Sequence, residues 1–189
     1  MAFPLIYNGL NYGDGKVKKE FNTMLVFGGA RSGKSAYAQE TAEQMRPSQL
    51  YVATAEAYDD EMRDRIQLHQ DARGTTWTTL EESLNIADVI RNETRPNRVV
   101  MIDCLTLWLS NIMGKGLDLK KEYALLSDSL QQAQGPVILV SNETGFGIVP
   151  ENALARQFRD EQGRLNQVMA KVCDKVVLVV AGLPLFLKE

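Results

Sequence analysis

"MLVFGGARSGKSAYAQETAEQM", Met24 to Met45, decides how the rest of the sequence reads. A short apolar run ends in a pair of glycines. The octet Gly28, Gly29, Ala30, Arg31, Ser32, Gly33, Lys34 and Ser35 then satisfies G-x-x-x-x-G-K-[ST] at every fixed position, and a helical pattern follows. A buried strand passing through a glycine loop into a helix is the setting that a phosphate-binding loop requires. Glycine lets successive N–H groups turn inward around phosphate oxygens, and the helix N-terminus adds positive potential. In that arrangement Lys34 reaches the β- and γ-phosphates of a nucleotide, and the Ser35 hydroxyl ligates Mg2+.

Working outward, continuous apolar runs alternate with helical segments. "QLYVA", "RVVMID", "PVILVS" and "KVVLVV" read as strands, with "LPLFLK" as one more. "KSAYAQETAEQM", the charged segment from Asp59 to Ala72, "SLNIADVIRN", "LKKEYALLSDSLQQA" and "ENALARQFRDEQGRLNQVMAKV" read as helices. Apolar strands separated by helices indicate a parallel sheet covered on both faces. The expected fold is α/β, a three-layer P-loop NTPase of the RecA-like kind with a mostly parallel sheet. "VVMID" places Asp103 where a buried strand emerges, the position expected of a second protein anchor for Mg2+; a strand-terminal aspartate with Thr106 and Ser110 close by also fits a helix cap. Residues 1–22 lack either periodicity and read as a peripheral extension. Residues 23–189 then form one P-loop nucleotide-binding catalytic domain.

Composition narrows the function. The 189 residues are 44% hydrophobic and 24% charged, the balance of a chain that builds its own core. A net charge of −3 argues against a nucleic-acid partner, which usually demands a basic excess. Cys104 and Cys173 stand apart, and with one histidine they cannot make a zinc site. Two thiols in apolar surroundings suit a reducing compartment. The longest apolar stretch, Val99–Met113, is too short for a membrane span, and "MAFPLIYNGL" has no basic leader region. A cytoplasmic protein with no membrane span is expected.

The single histidine, His69, lies in "RIQLHQDARG". On a helix Arg65, His69 and Arg73 would stack at four-residue steps. Two guanidiniums beside an imidazole disfavour its cation, and a neutral imidazole is a competent nucleophile toward a phosphate held by those arginines. The same spacing also fits a histidine on a solvated charged helix.

A second segment with chemistry is "NETGFGIVPENALARQFRDEQGRLN". Gly145 and Gly147 make a loop past a strand's carboxyl end, where α/β sheets bind ligands. Pro150 prepares the helix start. On that helix Arg156, Arg159, Gly163 and Asn166 form a polar stripe opposite Leu154, Phe158, Leu165 and Met169. The stripe is expected to be a subunit interface or a substrate-facing wall, against the alternative of a plain solvated face.

Four segments, "GGARSGKS", "YVATAEAYDDEMRDRIQLHQ", "MIDCLTLWLSNIM" and "NETGFGIVPENALARQFRDEQGRLNQVMA", occur in this order. Together they closely resemble the bifunctional adenosylcobinamide kinase/adenosylcobinamide-phosphate guanylyltransferase family of cobalamin biosynthesis. The resemblance runs from Met24 onward, and residues 1–22 depart from it. It implies transfer of the γ-phosphoryl of ATP or GTP to adenosylcobinamide. It further implies attack of a histidine on GTP and passage of GMP to adenosylcobinamide phosphate. In the family's "R-I-x-x-H" segment His69 is the matching residue; members often carry two adjacent histidines there, and here the first position is Leu68. The resemblance assigns guanine-nucleotide contacts to Thr54, Ala55 and Glu56, to Gln70, Asp71, Ala72 and Arg73, and to Glu81 or Glu82. It also implies a homotrimer. Two other readings fit the phosphate loop: a RecA-type ATPase switch acting on a partner, and a plain small-molecule kinase in which His69 is idle.

Overall fold

A computed structural model describes residues 21–55 and 76–189, with seven strands and five helices among them. In chain order these are β1 (Thr23–Gly28), α1 (Lys34–Met45), β2 (Ser48–Ala53), β3 (Trp77–Glu81) and α2 (Ile86–Glu93). There follow β4 (Arg98–Asp103), α3 (Leu105–Gly114), α4 (Leu119–Gln131), β5 (Val137–Asn142), α5 (Ala153–Val172), β6 (Lys175–Val180) and β7 (Leu183–Lys188).

The strands make one sheet in the order β3-β2-β4-β5-β1-β6-β7. All neighbours are parallel except β6 and β7, which are antiparallel. The apolar runs take the central positions for a simple reason. Met24, Leu25 and Val26 of β1, Val99, Val100 and Ile102 of β4, and Val137 to Val140 of β5 are all fully buried. A strand covered on both faces must be apolar on both, so it loses the alternation of a half-exposed strand.

Successive side chains point to opposite faces and build two cores. Leu25, Val52, Val100, Ile102 and Leu139 face a large cluster completed by α2, α3, α4 and α5, with Trp108 and Leu126 among its fully buried members. Met24, Val26, Met101, Ile138 and Val140 face the other side, where Ala38 and Ala42 of α1 pack against them. Alanines at a four-residue step give α1 a flat inner face, so the helix lies close to the sheet. The expected mostly parallel α/β architecture with helices on both faces is therefore present.

The β6–β7 connection is two residues long. Ala181 and Gly182 both have positive φ, 50° and 82°, as in the type I′ turn that matches strand twist. At the sheet's amino edge, the Asp174 carboxylate accepts hydrogen bonds from the N–H groups of Asn22 and Thr23 and from the Thr23 hydroxyl, at 2.9 to 3.1 Å. The Asn22 carbonyl accepts from Val137 N–H at 2.8 Å. Asn22, read from sequence as part of an extension, thus joins the fold; residues 1–20 lie outside the described residues.

Some elements differ from the sequence reading. β3 and α3 are not anticipated by it, and α5 starts at Ala153 behind an Asn152 cap rather than at Glu151. The helix expected from Asp59 to Ala72 lies outside the described residues.

Candidate active site

All parallel strands end on one edge of the sheet, so the loops that follow them converge there. β1 delivers Gly28, β4 delivers Asp103, β2 delivers Thr54 and Ala55, β3 delivers Glu81, and β5 delivers the Asn142–Pro150 loop. The register aligns Gly28 with Asn142, Asp103 with Val140, and Ala53 with both Asp103 and Glu81.

The Gly28–Ser35 loop is tightly turned. Arg31 and Gly33 adopt positive φ, 56° and 93°. Ser32 N–H bonds the Gly29 carbonyl at 3.3 Å, and Lys34 Nζ donates to that same carbonyl at 3.3 Å. Helix α1 begins immediately after Gly33 with no side-chain cap and no acidic residue in its first turn. Its unshared N–H groups therefore keep their positive potential for an anion. Among the described residues the buried Ser32 hydroxyl has no hydrogen-bond partner, and a phosphate oxygen would satisfy this donor.

The glycines serve packing as well as turning. A Cβ on Gly28 would lie 2.3 Å from the Val179 carbonyl oxygen of β6, and one on Gly33 would lie 3.2 Å from Gly182 Cα. Gly182 N–H donates to the Ser32 carbonyl at 2.8 Å. The β6–β7 turn therefore braces the phosphate loop from behind, a contact that no motif in the sequence announces.

Asp103 closes β4 two strands from β1, about 10 Å across the sheet at the usual strand spacing. Ser35 sits in the first turn of α1. A hydroxyl and a carboxylate are hard oxygen donors of the kind Mg2+ prefers, so this pair fits the ion. Beside Asp103, burial and the neighbouring carboxylate push the Cys104 thiol up to about 11. Burial and Asp174 push Cys173 up to about 12. Both thiols stay protonated near neutrality and are unsuited to nucleophilic attack.

Thr54 is fully buried, and its polar groups are engaged. Its hydroxyl donates to the Cys104 carbonyl at 2.7 Å and accepts from Cys104 N–H at 2.8 Å. Asn111 Nδ2 donates to the Thr54 carbonyl at 2.8 Å and to the Ser83 carbonyl at 3.1 Å. Thr54 thus serves here as a strut that fixes the end of β2 against β4 and α3. Ala55 follows it, half-buried. Of the two glutamates named from sequence, Glu82 accepts from the N–H groups of Leu84 and Asn85 at 2.8 Å and so holds the turn that leads into α2. Glu81 is exposed at the end of β3. Glu56, Arg65, His69, Gln70, Asp71, Ala72 and Arg73 lie outside the described residues.

The β5 loop adds groups that the sequence reading of the site omits. Glu143 N–H donates to the Gly28 carbonyl at 2.9 Å, and Asn142 N–H donates to Thr106 Oγ1 at 2.9 Å. Beneath them Ser141, Gln162 and Asn166 form a buried polar network, and Asn166 Nδ2 donates to the Asn142 carbonyl at 3.0 Å. Asn166 therefore belongs to the inner face of α5 and not to an outward stripe, while Leu154 is exposed. A Cβ on Gly163 would meet nothing within 4 Å, so no part of the described chain approaches it. The signal that could have found Glu143 is its place one residue past a buried strand, close to the setting of Asp103.

Comparison with known proteins follows the same outline. The model of the family described as cobinamide kinase / cobinamide phosphate guanyltransferase matches residues 24–187. The bifunctional adenosylcobalamin biosynthesis protein CobP of Pseudomonas aeruginosa is 46% identical over 168 residues, spanning 87% of this chain and 96% of that protein. The bifunctional adenosylcobalamin biosynthesis protein CobU of Salmonella typhimurium is 38% identical over 180 residues, spanning 87% of this chain and 99% of that one. Among solved structures, an ATPase from the type III secretion system of pathogenic bacteria superposes with a TM-score of 0.50 at 11% identity. The alignment covers 83% of this chain and 50% of that one, a likeness of fold alone.

Proposed function

This chain belongs to the cobinamide kinase / cobinamide phosphate guanyltransferase family, and from that we propose that it carries out both reactions of the family on adenosylcobinamide. It would first phosphorylate adenosylcobinamide with ATP or GTP and then convert the product to adenosylcobinamide-GDP. The observation that carries this reading is the phosphate loop with Lys34, Ser35 and Asp103 gathered on one sheet edge, in a chain matched by that family over residues 24–187.

In the kinase step the acceptor hydroxyl attacks the γ-phosphorus and the bond to the β-phosphate oxygen breaks. The loop N–H groups and the α1 N-terminus hold the phosphates, and Lys34 neutralises charge on the transferring group. Ser35 and Asp103 would hold Mg2+. When bound, Mg2+ screens the charge shared by the β- and γ-phosphate oxygens.

In the second step a ring nitrogen of His69 attacks the α-phosphorus of GTP. A nitrogen–phosphorus bond forms, the bond to the β-phosphate oxygen breaks, and pyrophosphate leaves. A phosphate oxygen of adenosylcobinamide phosphate then displaces the imidazole and takes the GMP. Covalent catalysis divides one hard displacement into two easier ones. The protonated state of Cys104 and Cys173 supports an imidazole rather than a thiol as the nucleophile.

Ala55, Glu56, Gln70, Asp71, Ala72, Arg73 and Glu81 would contact the guanine nucleotide; of these, Ala55 follows the end of β2 and Glu81 closes β3. A homotrimer is supported by β7, an edge strand whose Leu183, Leu185 and Leu187 are exposed. A cytoplasmic location is supported by two free cysteines and by the lack, among the described residues, of a helix long and apolar enough to cross a membrane.

A paired substitution tests the assignment. GTP labelled at the α-phosphate should leave acid-labile, base-stable label on the wild-type protein and on none of the His69→Ala protein. Lys34→Ala should lower phosphoryl transfer from ATP by about 100-fold or more. Wild-type protein that takes up no label, while folded and binding GTP, would remove the guanylyltransferase reading.

A further inference from the structure

The loop between β5 and α5 places large apolar side chains in water. Phe146 is 82% exposed, Ile148 97% and Val149 57%, and Leu154 on the first turn of α5 is 67% exposed. Four large apolar side chains exposed within nine residues of one another in sequence mark a candidate binding surface. Both ends of the loop are pinned. At its root Glu143 N–H bonds the carbonyl of Gly28, the first residue of the phosphate loop, and Glu143 Oε1 accepts from Gly145 N–H at 2.5 Å. At its far end Arg156 Nη1 donates to the carbonyls of Pro150 and Glu151 at 3.0 and 2.5 Å, and Asn152 caps α5 through Ala155 N–H. The apolar side chains between these anchors are thus carried on a backbone fixed at two points, and one of those points is the phosphate loop's first residue.

We propose that Phe146, Ile148, Val149 and Leu154 form the platform on which the flat face of the corrin macrocycle rests during phosphoryl transfer. The proposal rests on the function assigned above. The acceptor in that reaction is a wide, apolar-faced ring with amide groups at its rim and a hydroxyl on a short flexible arm. The hydroxyl must come within bonding reach of a phosphate held by Gly28–Ser35. The ring then lies within one arm's length of that loop, and the root of the β5–α5 connection is hydrogen-bonded to it through Glu143 and Gly28. The ring face opposite the adenosyl group is the one open to apolar cover, and the rim amides need polar partners. Glu151 and Asn152 lie in sequence between Val149 and Leu154 and supply polar groups for the rim. A second copy of this chain is the rival occupant, and β7 on the far edge of the sheet offers that partner a separate surface.

The test compares wild type with the Phe146→Ser/Ile148→Ser double variant. Adenosylcobinamide phosphorylation, GTP-dependent labelling without corrinoid, and molecular mass by sedimentation are measured on both. The expected result is a KM for adenosylcobinamide raised about tenfold or more, as fits loss of two apolar contacts. The KM for ATP, the protein-bound GMP and the mass should match wild type. An unchanged acceptor KM in an active enzyme overturns the proposal alone. A fall in mass overturns it by assigning the patch to a second copy. A wild-type protein inert toward the corrinoid removes the functional reading, and the proposal with it.

Discussion

Among single residues, the glycines of the phosphate loop show how sequence identity becomes geometry. The motif fixes Gly28 and Gly33 and leaves Gly29 at a variable position, and their surroundings differ accordingly. Gly28 has a β6 carbonyl where a side chain would go, and Gly33 combines a φ of 93° with the close approach of Gly182. At Gly29 a Cβ would meet nothing within 4 Å, and φ there is not positive. Gly33→Ala should therefore lower the unfolding free energy by about 1–2 kcal/mol, the cost of forcing a Cβ into the left-handed region. Gly29→Ala should stay within about 0.5 kcal/mol of wild type. Urea titration of both variants decides the matter, and equal losses would mean that the backbone geometry described for Gly33 is not what the loop uses. The motif shows that glycine belongs here. It cannot show why, because the contact with Gly182 joins residues far apart in the chain.

For the secondary-structure elements, legibility follows burial. The central strands can be read because each is an apolar run bounded by polar residues. β3 escapes notice because "WTTLE" is an edge strand whose side chains are mostly exposed, so it carries no hydrophobic signature. α3 escapes notice because Val99–Met113 merges a buried strand with a buried helix, and neither shows a period when both are surrounded. On α5 the polar residues Gln162 and Asn166 face inward to the Ser141 network, where composition alone places them outside. α3 nevertheless has a clear duty at the site through Asn111, which ties the end of β2 to the segment after β3. Asn111→Ala would strand the carbonyls of Thr54 and Ser83 without this donor. The expected cost is about 1–3 kcal/mol. It should also reduce protein-bound GMP more than phosphoryl transfer, because Thr54 leads into the segment that bears His69. Equal losses of the two activities would show that Asn111 supports only the fold.

In the whole molecule, the site edge and the opposite edge are held by different means, and the latter responds to acid. Burial alone would raise the Asp174 carboxyl, but hydrogen bonds from Thr23 and Asn22 outweigh it and hold the group below its ordinary value. A carboxyl depressed in the folded state adds stability that is complete above its unfolded value, about 3.9, and disappears as pH falls through the folded value. Asp174→Asn should thus be less stable than wild type at pH 7 in urea titrations, and the gap should narrow as the pH is taken below about 3.9. A gap independent of pH would mean that the carboxylate charge contributes nothing. The pairing of β1 has one more consequence, and it concerns time. β1 is hydrogen-bonded only to β5 and β6 among the described strands, and these begin at Val137 and Lys175. During translation the strand that leads into the nucleotide loop is made early and has no sheet partner until most of the polypeptide has been synthesised. A ribosome that stalls midway would leave that greasy segment, Met24–Phe27, waiting for cover, and chaperones would meet it there.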